Sequence, residues 1–158
     1  MVIETPKGSR NKLDYDPRLG AFRLAKTLPE GMVFPYDFGF VPLTRGEDGD
    51  PLDALVLMAE STVPGCVVDC RLIGMIEATQ KERGKKPVGN DRYIAISSEA
   101  ACEFSDIERP DDLPAQMLDQ LEKFFVNYND LEGKVFRCLG THGPKRALKT
   151  LKSALRKA

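Results

Sequence analysis

The chain has 158 residues, 42% apolar and 30% charged, and its 23 Lys and Arg stand against 24 Asp and Glu for a net charge of −1. That length suits one domain, 1–158, with a single sizeable core, and the composition is ordinary for a soluble globular protein. Balanced charge gives no global pull toward nucleic acid or acidic membranes, no apolar stretch approaches the ~18 residues of a membrane helix, and the N-terminus shows no secretory h-region, so export is not expected.

"VIET" (2–5), "KLDYD" (12–16) and "AFRLAKTL" (21–28) read as short strands, with "GSRN" and "DPRLG" as the turns between them. "GMVFPYDFGFVP" (31–42) sets aromatics among Gly and Pro and reads as a rigid loop rather than a regular element. "LDALVLMA" (52–59) is continuously apolar, as expected of a strand buried on both faces. The β-branched run "CVVDCRLIGMIEAT" (66–79) and "RYIAIS" (92–97) are further strands. From Pro114 the period changes: Met117, Leu118, Leu121, Phe124, Phe125 and Tyr128 recur at three- and four-residue steps. This predicts an amphipathic helix with Asp112 near its start and Gly133 past its end. "KVFRCLG" (134–140) is a short strand, and "PKRALKTLKSALRKA" (144–158) a second helix with Ala147, Leu148, Leu151 and Leu155 on one face. Strands followed by helices predict an α+β domain, a small and mostly antiparallel sheet or barrel with helices packed outside.

Several chemistries are excluded. Cys66, Cys70, Cys102 and Cys138 contain no C-x-x-C pair and His142 is the only histidine, so zinc sites lack their spacing and the cysteines read as reduced, several of them in the core. A Walker loop, G-x-G-x-x-G and G-x-S-x-G are all absent. The basic residues of the last helix, Lys145, Arg146, Lys149, Lys152, Arg156 and Lys157, lack interleaved aromatics and read as a solvated face.

The chemistry concentrates in "RGEDGDPLDALVL" (45–57), where Asp48, Asp50 and Asp53 stand at the mouth of an apolar run. Asp48-Gly49 suits a tight turn and Asp50-Pro51 can open a strand, which explains two of the three. Asp53 lies inside the run, where a carboxylate is costly unless it is paired or holds a metal. A hard cation such as Mg²⁺ explains all three, and the segment alone leaves turn and metal site both open. Upstream, Glu4, Lys7, Arg10, Lys12, Asp14 and Asp16 alternate acids and bases. Acids for metal beside bases for phosphate oxygens is what phosphoryl transfer to water requires.

Together "IETPKGSRNK", "FPYDFGFVP", "DGDPLDALVL" and "FFVNYNDLEGK" resemble the Mg²⁺-dependent, family I soluble inorganic pyrophosphatases over nearly the whole chain. The resemblance implies a twisted five-stranded, OB-like β-barrel with helices outside, in a cytoplasmic homo-oligomer that splits pyrophosphate into two phosphates. It implies that Asp48 and Asp53 ligate Mg²⁺, Asp53 bridging two ions, with Asp50 as general base beside the attacking water. Glu4 would serve further ions, largely through water. Lys12 and Tyr128 would contact phosphate oxygens and act in catalysis.

Departures from the family pattern fall on function. Asp14 stands in a metal-site position where Glu is usual, and Lys26 where a phosphate-binding Arg is expected, losing the bidentate fork. Phe34 and Phe38 replace tyrosines, and Asn129 replaces a phosphate-binding Lys. In place of an acidic loop the chain has Gln80, Lys81, Asn90 and Arg92, and the stretch from Lys81 to Arg92 carries five bases against two acids. Asn90 can still ligate metal through an uncharged oxygen, Arg92 can bind substrate, and Asp91 can substitute for Asn90 only through a bulge. These changes predict higher Mg²⁺ demand and weaker turnover. The alternatives are a non-catalytic scaffold that binds phosphate or a partner, and a hydrolase for another phosphoanhydride.

Overall fold

A computed structural model describes residues 1–99 and 103–155. In chain order the elements are β1 (Val2–Thr5), β2 (Asn11–Asp16), β3 (Ala21–Thr27), β4 (Asp37–Val41), β5 (Leu52–Leu57), β6 (Cys70–Lys81), β7 (Val88–Gly89), β8 (Arg92–Ser97), α1 (Ala115–Asp130), β9 (Val135–His142) and α2 (Pro144–Ala154). A short 3-10 turn at Pro110–Asp112 precedes α1. Asp112 closes that turn, accepting the backbone N–H groups of Glu108 and Arg109 (3.0 and 3.1 Å), rather than capping α1.

The apolar run of β5 organises the molecule. Its residues Ala54 to Leu57 are wholly buried, because β5 lies inside the sheet with β4 antiparallel on one side and β8 parallel on the other. Side chains alternate across it. Leu55 and Leu57, with Ile94 and Ile96 of β8, meet Met117, Leu121 and Phe125 of α1. Ala54 and Tyr93 face the other way, toward Met75 and Ala147 of α2. Two helices thus cover opposite faces of one sheet. Burial of each large side chain on the α1 face stabilises by roughly 1.5–3 kcal/mol. The helix stops where Gly133, at φ 68°, turns the chain, and the Lys134 N–H donates to the Asn129 carbonyl at 3.0 Å.

The barrel is not formed. Seven strands make an open sheet in the order β1-β4-β5-β8-β6-β7, with β9 also on β6, and β2-β3 is a separate two-stranded sheet; no sheet closes on itself. Closure needs ladder hydrogen bonds all the way round. Between β1 and the β2–β3 hairpin side chains take their place: the Leu13 N–H donates to the Thr5 hydroxyl (3.0 Å), and the Tyr15 N–H to the Glu4 carboxylate (2.7 Å). The pairing is mostly antiparallel as expected, β5–β8 excepted.

The stretch read as a loop at 31–42 contains β4, which pairs with both β1 and β5. Gly39 is what made it look irregular, and the strand requires it: a Cβ there would sit 1.9 Å from the Val2 carbonyl oxygen, so only glycine lets β1 lie alongside. The run at 66–79 becomes β6 only from Cys70, with Val67 making an isolated bridge to Val2. The C-terminal helix ends at Ala154, and Arg156, Lys157 and Cys102 lie outside the described residues. Cys66, Cys70 and Cys138 are free thiols, each half-buried at the edge of the core rather than in it. Among the described residues no helix is long and apolar enough to cross a membrane.

Candidate active site

A cleft of about 660 Å³ opens beside the α1 face of the sheet, between the β2–β3 hairpin, the segment before β5 and the C-terminal end of α1. Glu4, Lys12, Asp14, Lys26, Asp48, Asp50, Asp53, Asn90, Arg92 and Tyr128 all line it. Residues from five strands and one helix therefore converge although they are scattered over 125 positions of the sequence. Lys7, Arg10 and Asp16 do not. Arg10 is taken by Glu30 and the Leu28 carbonyl, and Asp16 by Arg23 and the Arg18 N–H.

The aspartate segment does make a turn. The Gly46 N–H donates to the Asp50 carbonyl (2.7 Å), Gly49 adopts φ 96°, and the Asp50 N–H donates to Asp48 Oδ1 (3.1 Å). Turning there carries Asp48 and Asp50 to the cleft, where Asp53 projects from β5 on the same face as Leu55 and Leu57. Burial pushes the carboxyls of Asp48 and Asp53 above the usual range. At Asp53 the charges of Arg92 and Lys12 pull the other way, while Asp48 and Asp50 add to the rise. Glu4, 8% exposed, is pushed up to about 7 by burial, against the pull of the Tyr15 N–H and Lys12. These acids are short of positive charge.

One cation is supplied by the chain. Arg92 Nη1 lies 2.7 Å from Asp53 Oδ2, and its guanidinium sits over the rings of Phe125 and Phe136, 5.0 and 5.1 Å from their centroids. At the other end, Lys12 pairs with Asp14 and Lys26 with Glu132, and Lys26 Nζ stands 4.3 Å above the Tyr128 ring. Burial pushes the Tyr128 phenol far above its ordinary range, so it remains a neutral hydrogen-bond donor. Phe34 and Phe38 add buried rings to the wall and exclude water.

Gln80 of β6 and Asn90, between β7 and β8, pair through their side-chain amides (2.9 Å), so this wall presents neutral groups. Asp91 does not replace them. β7 keeps the register with β6 that β8 sets, with no bulge between, so Asn90 and Arg92 share the cleft face and Asp91 turns away. Its carboxylate accepts the Ala78 N–H (3.0 Å) and lines a neighbouring cavity of about 270 Å³ that shares Asp48, Asp53 and Asn90 with the cleft.

Among the described residues no three His, Cys, Asp or Glu side chains are gathered closely enough to hold a metal ion. The donor chemistry still suits one. Asp48, Asp50 and Asp53 offer hard oxygens on one side of the cleft, and burial raises the carboxyls of Asp48 and Asp53, which a bound cation would offset. The side bearing Gln80, Asn90 and Arg92 does not suit one.

Glu132 and Lys134 were missed in the sequence. Both line the cleft, and Lys134 Nζ lies 3.3 Å from Glu132. Gly133 between them was the available signal, since a left-handed turn after a helix directs both flanking side chains back over its last turn. Asn129 also reaches the cleft, but it is 1% exposed and its amide donates to the Phe125 carbonyl (2.8 Å), a structural bond rather than a free group.

The family model for inorganic pyrophosphatase matches residues 1–158. The inorganic pyrophosphatase of Thermus thermophilus is 37% identical over 158 residues, 98% of this chain and 87% of that protein. That of Methanosarcina acetivorans is 38% identical over 154 residues, 98% and 88% of the two chains. The crystal structure of the Thermus thermophilus enzyme superimposes with a TM-score of 0.89 at 35% identity, covering 98% of this chain and 87% of that one. The Helicobacter pylori inorganic pyrophosphatase gives a TM-score of 0.88 at 33% identity, covering 98% and 89%.

Proposed function

This chain belongs to the inorganic pyrophosphatase family and hydrolyses inorganic pyrophosphate to two phosphates, and we propose that it does so with Mg²⁺ held by Asp48, Asp50 and Asp53. The observation that carries this reading is the convergence of those carboxylates with Lys12, Lys26, Arg92 and Tyr128 on one cleft. Bound there, Mg²⁺ would neutralise phosphate charge and lower the pKa of a water. Glu4 and Asp14 would act on the cation at longer range, while the Asn90 oxygen, which accepts from Arg92, would lie outside its shell.

The chain's own groups do the rest. Lys12, Lys26 and Arg92 draw in the phosphate oxygens of pyrophosphate through their positive charge. The neutral Tyr128 hydroxyl donates to a phosphate oxygen. Asp50 accepts the proton of the attacking water. The aromatic wall of Phe34 and Phe38 keeps bulk water from the charges and so strengthens them. Each of these groups acts on charge that grows as the anhydride breaks, which is where hydrolysis gains most from an enzyme.

Asp50→Asn and Lys12→Met separate the roles. Loss of the proton acceptor should lower kcat by about a hundredfold or more with KM little changed. Loss of the lysine should raise KM. An Asp50→Asn protein with full turnover would rule out Asp50 as the base. We further read 1–158 as one domain working as a cytoplasmic homo-oligomer. The oligomer reading rests on the family resemblance, and light scattering of the purified protein tests it, a monomer overturning it.

A further inference from the structure

The geometry points to Arg92 as a resident cation on Asp53: the guanidinium holds the carboxylate oxygen that a second divalent ion would need, so metal must compete with Arg92 for this site. The proposal rests on the metal reading above. Arg92 is 4% exposed and cannot be deprotonated, so its charge is permanent. Nη1 forms an ion pair with Asp53 Oδ2 at 2.7 Å, and its N–H groups point to the Asn90 side-chain oxygen and to the Asn90 and Asp91 carbonyls, at 3.1 Å from each carbonyl. Phe125 and Phe136 flank the group, so it is a built part of the wall and not a loose side chain swinging into the cleft.

Three further facts bear on the site. Asn90 is occupied on both ends of its amide, by Arg92 and by Gln80, so its oxygen is not free to compensate a second ion. Asp91 does not line the cleft; its carboxylate accepts the Ala78 N–H at 3.0 Å beside a smaller cavity that Asp48 and Asp53 also line. Nε of Arg92 is buried without a partner, so the guanidinium is held in place through Nη1. On the Asp48 and Asp50 side, no cationic side chain among the described residues pairs with either carboxylate. Metal binding to the free protein is therefore confined to that side, and Asp53 is shared.

Mn²⁺ binding, measured without substrate by electron paramagnetic resonance and by calorimetry, tests this. Arg92→Gln and Arg92→Met should each bind Mn²⁺ roughly tenfold more tightly, or gain an additional ion. Asp53→Asn should abolish that gain when combined with either. Folded Arg92 variants that bind Mn²⁺ no better than the unmutated protein overturn the proposal. Should both variants unfold in the absence of metal, refolding on addition of Mg²⁺ supports it, and unfolding regardless of Mg²⁺ overturns it. The two readings fail separately. Asp53→Asn that leaves Mn²⁺ binding of the otherwise unmutated protein unchanged removes the metal reading itself. Asp53→Asn that weakens binding, with no gain from Arg92→Gln, removes only the competition.

Discussion

Glu4→Gln should stabilise the metal-free protein at alkaline pH. Glu4 is 8% exposed, accepts the Tyr15 N–H at 2.7 Å, and is pushed up to about 7 by burial. A carboxyl that titrates near 4.5 unfolded and near 7 folded gives its full contribution below 4.5 and loses it as pH rises toward 7. The penalty for keeping it ionised reaches about 3 kcal/mol at pH 8, about 2 at pH 6 and under about 1 at pH 5. Glutamine keeps an oxygen for the Tyr15 N–H and carries no charge, so it removes the penalty and leaves the hydrogen bond. Urea denaturation in EDTA at these three pH values, for both proteins, measures the gap. Added Mg²⁺ should narrow it, because a nearby cation favours the ionised form of Glu4. Parallel stability profiles for the two proteins, or a Gln variant less stable at pH 8, would refute the reasoning.

Lys26→Met should raise KM for pyrophosphate by about tenfold with a smaller effect on kcat, since the ammonium binds substrate from a position fixed by Glu132 and Tyr128; steady-state kinetics read the split. Leu121→Ala should cost about 2–4 kcal/mol in urea unfolding, because a fully buried side chain between α1 and the sheet leaves a cavity. Asn90→Asp should lower the Mg²⁺ concentration for half-maximal activity by returning a charge to the neutral wall, with Gln80 rotating to keep its bond; an unchanged Mg²⁺ requirement would show that the outer wall does not set it.

Much of this was readable in the chain because it rests on local rules. β1 and β8 fall on "VIET" and "RYIAIS", and the four-residue steps of Met117, Leu121 and Phe125 place α1, since burial on one face imposes the period. The gathering of acids and bases on one cleft was legible in part from residue type, and the individual candidates from the family resemblance. What was not legible depends on distant partners. Gly39 belongs to a strand only because Val2 lies against it, and an isolated reading of "FGF" sees a loop. The open sheet follows from Thr5 and Glu4 binding the hairpin through side chains, which periodicity does not encode. The Arg92–Asp53 pair depends on β5 and β8 being parallel neighbours, and a single sequence read by itself gives no sign of that register. Glu132 and Lys134 reach the cleft only through the turn at Gly133.

The central claim is that the cleft bearing Asp53 hydrolyses pyrophosphate with Mg²⁺. Phosphate release from pyrophosphate by the purified protein, with Mg²⁺ and with EDTA and beside an Asp53→Ala control, tests it directly. Rapid release with Mg²⁺, none in EDTA, and a rate reduced by about a hundredfold or more in Asp53→Ala is the predicted result. Undiminished release from Asp53→Ala, or release that continues in EDTA, would contradict it.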